Sequence, residues 1–450
     1  MLLLLALSIP AAGWIPARWH SADLKTLETI KLTPVNCLLL EREHWSAEFS
    51  AAAAEKGIVT LGVIPPGGKA GDLAGDATKA KLSGVVFEGF PSEPPAKAYR
   101  DAGLTVVEMG PRTRMQFEGA EIAATNQGVW AGINPVEDGS AKAAPSGGPW
   151  IDTNGGFLRF ARAAASATIW MGNQPPKDAA IPVARYLQAV ADAAILSARW
   201  VIALDPEFEG RLLRGEAKAL DDWKAIGAHL AFYESHQEWR AYEPVAQLIL
   251  VQDVDSGGLF SGGVLDMISV KHTPVRAVPA AKLTGDEAMR GATMAVNVDP
   301  AATTPQQKEI LRRFTRAGGT LLTAPPGWKF PAQRDDQITL DKDDVHTIDQ
   351  IWREINNMTG RRNLGARLFN VSTMLSSLSA PESGKPLVLQ MVNYSDYPVE
   401  DVTVHVLGKF GKATLLAPGG PPRAMEVYDN EEGTGIDIDK ITTVAALVLE

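Results

Sequence analysis

Short apolar runs alternate with amphipathic stretches through the first half of the chain, from about residue 35 to residue 236. Most of these runs are continuously apolar, which is typical of strands buried on both faces of a parallel sheet. Eight strands are predicted: Val35–Glu41, Ile58–Ile64, Gly84–Glu88, Leu104–Glu108, Gly128–Ile133, Pro149–Thr153, Ala167–Gly172 and Arg199–Leu204. Helices are predicted between them at Ala47–Lys56, Pro95–Ala102, Phe157–Ala165, Val183–Ala198 and Glu216–Tyr233.

This cadence predicts an α/β fold, a (β/α)8 TIM-type barrel over residues 30–243, with an open doubly wound sheet as the structural alternative. The segment Asn134–Gly148 contains two Pro and three Gly, so it predicts a long loop in place of the fifth helix.

A second unit is predicted over residues 244–330. Its strands are predicted at Ala246–Gln252, Pro274–Val278, Ala292–Val298 and Gly319–Thr323. A helix precedes the last strand, with Thr303 or Thr304 as its cap and Gly318 at its end. Because a helix here links two strands of one parallel sheet, the pattern predicts a small Rossmann-like α/β domain.

The pattern of hydrophobic and polar residues changes after residue 330. A linker with a helix at Val345–Met358 is predicted over residues 331–364, and only strands follow. The predicted strands are Leu387–Asn393, Val399–Val406, Ala413–Leu416 and Ala445–Leu449. Alternating apolar residues and dense turn residues predict a C-terminal antiparallel β-sandwich over residues 365–450.

Composition and net charge exclude several classes of function and of structural site. Lys and Arg total 43 against 53 Asp and Glu, so the net charge is 43 − 53 = −10, which argues against a nucleic-acid partner. The single cysteine, Cys37, excludes an internal disulfide framework and a multi-cysteine zinc site. The sequence predicts no cofactor and no metal.

The first 13 residues resemble a signal peptide. An apolar run, Leu2–Ile9, precedes the small residues Ala11, Ala12 and Gly13. A periplasmic or secreted location is therefore predicted. Because no Lys or Arg precedes the run, a cytoplasmic location stays the alternative. No membrane span is predicted.

Acidic residues at the ends of predicted strands are the candidates for catalysis. A glycosidase needs one protonated and one ionised carboxyl group on either side of the scissile bond. Glu108 precedes a turn and Arg112, which favours an ionised nucleophile, although a structural Glu–Arg pair is the alternative. Asp152 stands beside Trp150, which favours a protonated acid, although a helix cap is the alternative.

Substrate binding is predicted for side chains at the same ends. Indole rings stack on the C–H faces of sugars, and amides match hydroxyl groups. Core packing is the alternative for the indoles. The predicted substrate-binding residues are Glu41, Trp45, Glu88, Arg114, Asn126, Gln127, Trp130, Trp150, Asn154, Trp170, Asn173 and Asp205.

The order of domains resembles that of family 42 β-galactosidases and related clan A glycoside hydrolases, which carry a glutamine-amidotransferase-like trimerisation domain. The tail LVLQMVNYSDYPVEDVTVHVLG is similar to the small β domain of such enzymes. The segments GVWAGI, GPWIDTN and ATIWMGNQPP are similar to an uncharacterised bacterial group of hydrolase-like barrels.

The resemblance also implies site positions. In clan A the acid Glu follows an Asn on strand four and the nucleophile Glu ends strand seven. Here Val107 precedes Glu108, and Asn173 and Gln174 stand at the predicted strand seven. Carboxylates on predicted strands four and six, Glu108 and Asp152, instead resemble the α-galactosidase clan.

These observations predict a glycoside hydrolase-like enzyme that cleaves a glycosidic bond in an oligo- or polysaccharide by paired carboxylates. A catalytically inactive carbohydrate-binding barrel is the alternative. The amidotransferase-like domain has no reactive thiol because Cys37 lies in the predicted barrel. This domain is therefore predicted to be structural or to form a homo-oligomer.

Overall fold

The structure is a computed structural model that describes residues 10–66, 73–89, 95–130, 133–135, 141–143, 154–175, 179–253, 265, 268, 272–325, 342–371 and 373–450. An eight-stranded parallel sheet forms the first domain. Its strands are β1 Pro16–Arg18, β2 Cys37–Leu40, β3 Val59–Ile64, β4 Gly84–Glu88, β5 Thr105–Gly110, β6 Ile122–Thr125, β7 Thr168–Met171 and β8 Ala198–Trp200.

The sheet curls into a nearly closed barrel. Beyond β8, the backbone of Ile202 accepts a hydrogen bond from Arg18 N at 2.7 Å and donates one to Pro16 O at 3.0 Å. These bonds join the last strand to the first, and they confirm the predicted TIM-type barrel over the doubly wound alternative.

Two of the eight predicted strands are replaced by others. Gly128–Ile133 is not a barrel strand: residues 128–130 are irregular, and Ile133 lies in a short hairpin, Ile133–Pro135 with Ala141–Ala143. Pro149–Thr153 lies outside the described residues. The barrel strands missed are β1 and β6, short strands that contain Pro16, Ala17, Ala123 and Ala124, residue types that are depleted in strands. The barrel accordingly starts at residue 16, ahead of the predicted residue 30.

Helices surround the barrel. They are α1 Thr26–Ile30, α2 Ala47–Glu55, α3 Leu73–Lys79, α4 Pro95–Asp101, α5 Gly155–Ala164, α6 Val183–Ala194, α7 Pro206–Leu213 and α8 Ala217–Glu234. The five predicted helices correspond to α2, α4, α5, α6 and α8. Between β5 and β6, where every residue is described, only a 3-10 turn occurs, Arg112–Arg114. The connection from β5 to β6 therefore adds no helix to the outer layer.

Alternation along the strands decides which side chains fill the barrel. Val107, Met109 and Trp170 belong to the cluster that packs inside it, together with alternate residues of the other strands. Trp14, just before β1, lies 6.3 Å from Trp170 between ring centres and helps to fill the end of the barrel where the strands begin. The opposite end, where the strands finish, is the mouth.

The second domain is the predicted Rossmann-like unit. Its strands are β10 Leu248–Gln252, β11 Val275–Pro279, β12 Met294–Asn297 and β13 Thr320–Thr323, all parallel in the order β11–β10–β12–β13. Helix α9, Pro305–Arg316, starts at a capping box in which Thr304 and Gln307 bond to each other's backbone. The predicted cap and the predicted helix–strand order are both confirmed.

The third domain is the predicted β-sandwich, preceded by helix α10, Lys342–Thr359. Its antiparallel strands are β9 Glu243–Pro244, β14 Ala366–Phe369, β15 Met374–Ala380, β16 Leu387–Asn393, β17 Val399–Leu407, β18 Ala413–Leu416, β19 Arg423–Met425, β20 Tyr428–Asn430, β21 Gly433–Ile441 and β22 Val444–Leu449. They form a six-stranded sheet, β9–β15–β16–β22–β18–β19, and a four-stranded sheet, β14–β17–β21–β20. The two sheets enclose one apolar core.

None of the described helices combines the length and the apolar character that crossing a bilayer requires.

Candidate active site

Arg18 organises the mouth of the barrel. It ends β1, and only 5% of its side chain is exposed. Its Nη1 donates to Glu41 Oε1 at 3.1 Å, and its Nη2 donates to Glu88 Oε1. One guanidinium thus joins acids from two other strand ends and offsets the repulsion between them. Burial lowers the pKa of Arg18, while the charge of Glu41 raises it.

A second pair lies beside the first. His20 follows β1 by two residues, and its Nδ1 lies 2.7 Å from Glu209 Oε2. The backbone N–H of His20 donates to the other oxygen of Glu209 at 3.0 Å. Because α7 begins shortly after β8, it brings Glu209 back to the mouth, where the carboxylate is buried while His20 keeps 35% of its side chain exposed.

The pKa of His20 is raised. The hydrogen bond to Glu209 is the largest cause, and burial opposes it. The negative charges of Glu209 and Glu41 also raise the pKa, whereas the positive charge of Arg18 lowers it. His44 lies edge-on to His20, with 6.3 Å between the ring centres. We call Arg18, His20, Glu41, His44, Glu88 and Glu209 the mouth cluster. The arrangement combines paired carboxylates with a partly exposed imidazole of raised pKa, a combination suited to proton transfer.

Two other predicted residues lie near the same end. Asn126 is the first residue after β6, and its backbone N–H donates to Gly110 O at 3.3 Å. Trp45 packs on the outer face of the barrel, against Gly62, whose neighbours Leu61 and Val63 point inward, so the core-packing alternative holds for it; a Cβ at Gly62 would come within 2.4 Å of the indole. Its Nε1 donates to Leu40 O at 2.9 Å, and Arg42 lies over the ring with 4.5 Å between its Cζ and the ring centre.

Glu108 does not face the mouth. Its neighbours Val107 and Met109 point inward, so Glu108 points outward, where its Oε1 pairs with Arg100 Nη2 at 3.3 Å. The prediction that Glu108 ends its strand is wrong, because β5 continues to Gly110. Glu108 and the exposed Arg114 instead line an outer groove of about 840 Å³ beside the connection from β5 to β6.

Two predicted indoles are part of the packed interior. Trp170 is fully buried against Trp14, and Trp130 is buried against Trp200 and Tyr186, with 5.0 and 5.3 Å between ring centres. The core-packing alternative therefore holds for both, since neither leaves a face for a sugar. Trp150 and Asp152 lie outside the described residues, and their roles stay predictions.

Arg112 and two of the predicted amides form internal polar contacts. Gln127 Oε1 accepts from Arg112 N at 2.8 Å. Asn154 Oδ1 accepts from Val129 N at 2.8 Å, and its Nδ2 donates to Asp192 Oδ2 at 2.7 Å. These bonds link the loop after β6 to α6, because Asn154 contacts Val129 in the loop and Asp192 in the helix. Asn154 itself is fully buried.

Asn173 and Asp205 also have structural partners. Asn173 Nδ2 donates to Gly128 O at 2.9 Å. Asp205 is the N-cap of α7, where Oδ1 accepts from Phe208 N at 3.0 Å and Oδ2 accepts from the Tyr186 hydroxyl at 2.9 Å. Capping, the general alternative for a strand-end acid, is what Asp205 does.

The sequence prediction missed Arg18, His20 and Glu209 as site residues. Arg18 and His20 were missed because β1 was not predicted, and the pattern around Pro16–Arg18 is the only signal that could have indicated them. Glu209 lies in a helix, away from any strand end. Within the described ranges, no group of three or more His, Cys, Asp or Glu side chains is arranged to hold a metal ion.

Comparison with known proteins gives a likeness of fold. No family model and no curated protein matches the chain. Among solved structures, α-L-fucosidase isoenzyme 2 from Paenibacillus thiaminolyticus matches with a TM-score of 0.61 and 11% identity, over 96% of this chain and 99% of that one. A β-galactosidase from Rahnella sp. R3 matches with a TM-score of 0.56 and 8% identity, over 96% and 99%. The architectural resemblance to glycoside hydrolases is thus confirmed at the level of the fold.

Proposed function

We propose that the chain is a glycoside hydrolase that cleaves an oligo- or polysaccharide at the mouth of its barrel. The observation that carries the proposal is the mouth cluster, in which Glu41, Glu88, Glu209 and His20 converge at the end of the barrel where such folds place their chemistry. The likeness to solved glycosidases supports the same reaction class.

Each group has a role that suits its surroundings. Glu88 or Glu41, paired with the buried Arg18, serves as the ionised nucleophile or base. His20 serves as the proton donor to the leaving oxygen, because its hydrogen bond to Glu209 raises its pKa and so favours the protonated ring. Glu209 is a positioning residue that holds the imidazole through Nδ1 and leaves Nε2 to face the substrate.

The predicted catalytic residues enter the proposal differently. Asp152 stays a candidate acid, and an Asp152→Asn variant tests it directly. Glu108 is not part of the proposed site because its carboxylate is on the outside of the barrel. Asn126 is proposed to bind substrate hydroxyl groups, since its amide offers both donors and an acceptor.

The proposal extends to location and assembly. A periplasmic or secreted location rests on the apolar run Leu2–Ile9 and the small residues after it. A homo-oligomer through the Rossmann-like domain is supported by its edge strand β13, whose Thr320 and Thr323 are exposed.

One observation favours the alternative, a catalytically inactive carbohydrate-binding barrel. Arg18 bonds to both Glu41 and Glu88, so both carboxylates have a structural partner in the absence of substrate. A site that only binds saccharide could keep that arrangement unchanged.

A saccharide panel distinguishes the two functions. Calorimetry measures binding of each oligosaccharide, and release of reducing ends measures cleavage of the same compounds. Binding with cleavage supports the hydrolase, and binding without cleavage supports the inactive barrel. Neither binding nor cleavage across α- and β-linked sugars would contradict both.

A further inference from the structure

A cavity lies where the three domains meet, away from the mouth cluster. Its volume is about 250 Å³, and α5 of the barrel, β11 of the Rossmann-like domain and β15 of the sandwich all contribute to it. We call it the three-domain cavity. Leu196, which precedes β8, also lines it, so the cavity is near the end of the barrel where the strands begin.

Positive charge dominates the described lining of this cavity. Arg159 and Arg162 come from α5, and Arg276 and Lys282 come from the Rossmann-like domain. Among the described lining residues, Glu243 is the only acid. In a chain of net charge −10, four cations around one carboxylate form a local excess of the opposite sign.

Backbone carbonyls use only part of the donor capacity of Arg162 and Arg276. Arg162 Nη2 donates to Tyr242 O, and Arg276 Nη2 donates to Arg290 O at 2.8 Å. A guanidinium has five N–H donors, so donors remain for a ligand. Lys282 is exposed, and within the described part of the chain its ammonium forms no ion pair.

The cationic groups are only partly compensated. Burial lowers the pKa of both Arg162 and Arg276, whereas the charge of Glu243 raises both. Arg290 lowers the pKa of Arg276 further, which is the effect of one like charge on another. An anion placed among these groups would relieve that repulsion.

We propose that the three-domain cavity binds a small oxyanion, a phosphate or sulfate group. Planar guanidinium groups match the oxygens of such anions and form charge-assisted hydrogen bonds with them. The cavity is smaller than the usual pocket for a drug-sized ligand, so it suits one anionic group and not an oligosaccharide. The proposal does not depend on the glycosidase function, since no residue of the mouth cluster lines this cavity.

A bound oxyanion stabilises the folded chain, because residues from separate domains would share one ligand. The probe is inorganic phosphate, titrated into the full-length protein at constant ionic strength with chloride as the balancing ion. Calorimetry gives the dissociation constant, and thermal unfolding gives the shift in Tm. We expect saturable binding and a Tm that rises with phosphate, both weaker at high salt.

Two variants of opposite sign localise the binding. Lys282→Met removes an exposed cation and should weaken phosphate binding roughly tenfold, the effect of one lost charge-assisted hydrogen bond. Glu243→Gln removes the lining acid and should tighten the binding, a gain that misfolding cannot produce. Arg312→Met, an exposed arginine on α9 that does not line the cavity, is the control and should leave binding unchanged.

The outcomes separate the sources of the anion. Binding of inorganic phosphate with the expected pattern of variants supports a free oxyanion. Binding of a sugar phosphate monoester instead, with the same pattern, supports the same site with an esterified group. No binding of either compound, or binding that Lys282→Met and Glu243→Gln leave unchanged, would overturn the proposal.

Discussion

His20 connects structure to chemistry at the scale of single residues. Its ring is held by Glu209 on one side and reaches solvent on the other. A proton on this imidazole is stabilised by a nearly buried carboxylate, so the same pair influences both the stability and the proposed reaction.

The pair predicts a pH-dependent contribution to stability. Because the folded pKa of His20 is raised above its ordinary value of 6.5, the stabilisation is complete below that value and is lost as pH rises through the folded pKa. His20→Gln should therefore lower the free energy of unfolding most at acidic pH, with a gap to wild type that narrows as pH rises. Urea unfolding between pH 5.5 and 8.5, roughly the range in which a histidine titrates, measures it.

Glu209→Gln supplies the matched variant. It removes the charged partner and should therefore show the same gap to wild type as His20→Gln, one that narrows as pH rises. A gap that stays constant with pH, or widens as pH rises, contradicts the assignment.

Asp205 gives a prediction about stability alone. Asp205→Ala removes the cap of α7 and the partner of the buried Tyr186 hydroxyl, and should cost about 2 kcal/mol in the free energy of unfolding. Glu207→Ala, in the same turn but largely exposed, should cost a few tenths of that at most. Equal losses in the two variants, measured by urea unfolding, would show that Asp205 is not a cap of this kind.

The prediction of site residues from the sequence depended on where each strand ends and on which face of the sheet each side chain lies. Glu41 and Glu88 were predicted at strand ends and lie in the mouth cluster, because their strands end where the sequence indicates. Glu108 was predicted to end its strand, but β5 continues for two more residues, and the alternation along it puts Glu108 on the outer face. The indole of Trp170 is apolar enough to suit either a ligand wall or a core, and the sequence left both open.

At the scale of elements, α6 joins the barrel to the sandwich. Arg185 on this helix donates to Tyr394 O at 2.8 Å and pairs with Asp396 at 2.7 Å. The hydroxyl of Tyr394 donates to the buried Asp192 on the same helix. Burial raises the pKa of Asp192, while hydrogen bonds from Tyr394 and Asn154 lower it. The contact is therefore a buried polar one that needs both domains to be complete.

The hydrogen bond from Tyr394 to Asp192 predicts what happens when the Tyr394 hydroxyl is removed. Tyr394→Phe leaves Asp192 with one donor fewer in a buried site, and should lower the free energy of unfolding by about 1–3 kcal/mol. Tyr397→Phe, whose side chain is 64% exposed, is the control and should have little effect. Denaturant unfolding of both variants tests it, and a Tyr394→Phe variant as stable as its control would contradict the coupling.

Elements with strong local sequence signals were predictable, whereas β1 and β6, which lack such signals, were not. The nine-residue strand β17 and the capped helix α9 lie where the sequence places them, because repeated alternation and a capping box are strong local signals. β1 and β6 are set by their neighbours in a closed barrel, since hydrogen bonds to Ile202 and to β7 fix them. The closure of the barrel depends on hydrogen bonds between strands that are distant in sequence, so the local sequence of β1 or β6 does not predict it.

At the scale of the whole molecule, the barrel has the proposed active site at one end and contacts the other two domains near the opposite end. The mouth cluster draws on β1, β2, β4 and α7 alone, so the barrel is sufficient to build it. The Rossmann-like and sandwich domains pack around α5 and α6 and contribute to stability and to the three-domain cavity.

The central claim is that the acids inside the mouth, and not the acid outside the barrel, carry the reaction. The most direct measurement is the rate at which wild type, Glu88→Gln and Glu108→Gln release the sugar from a substrate that the saccharide panel identifies. The account predicts that Glu88→Gln slows release at least ~100-fold, whereas Glu108→Gln, with its outward-facing side chain, keeps the wild-type rate. A Glu88→Gln variant that cleaves as fast as wild type, or a Glu108→Gln variant that loses cleavage while remaining folded, would contradict it.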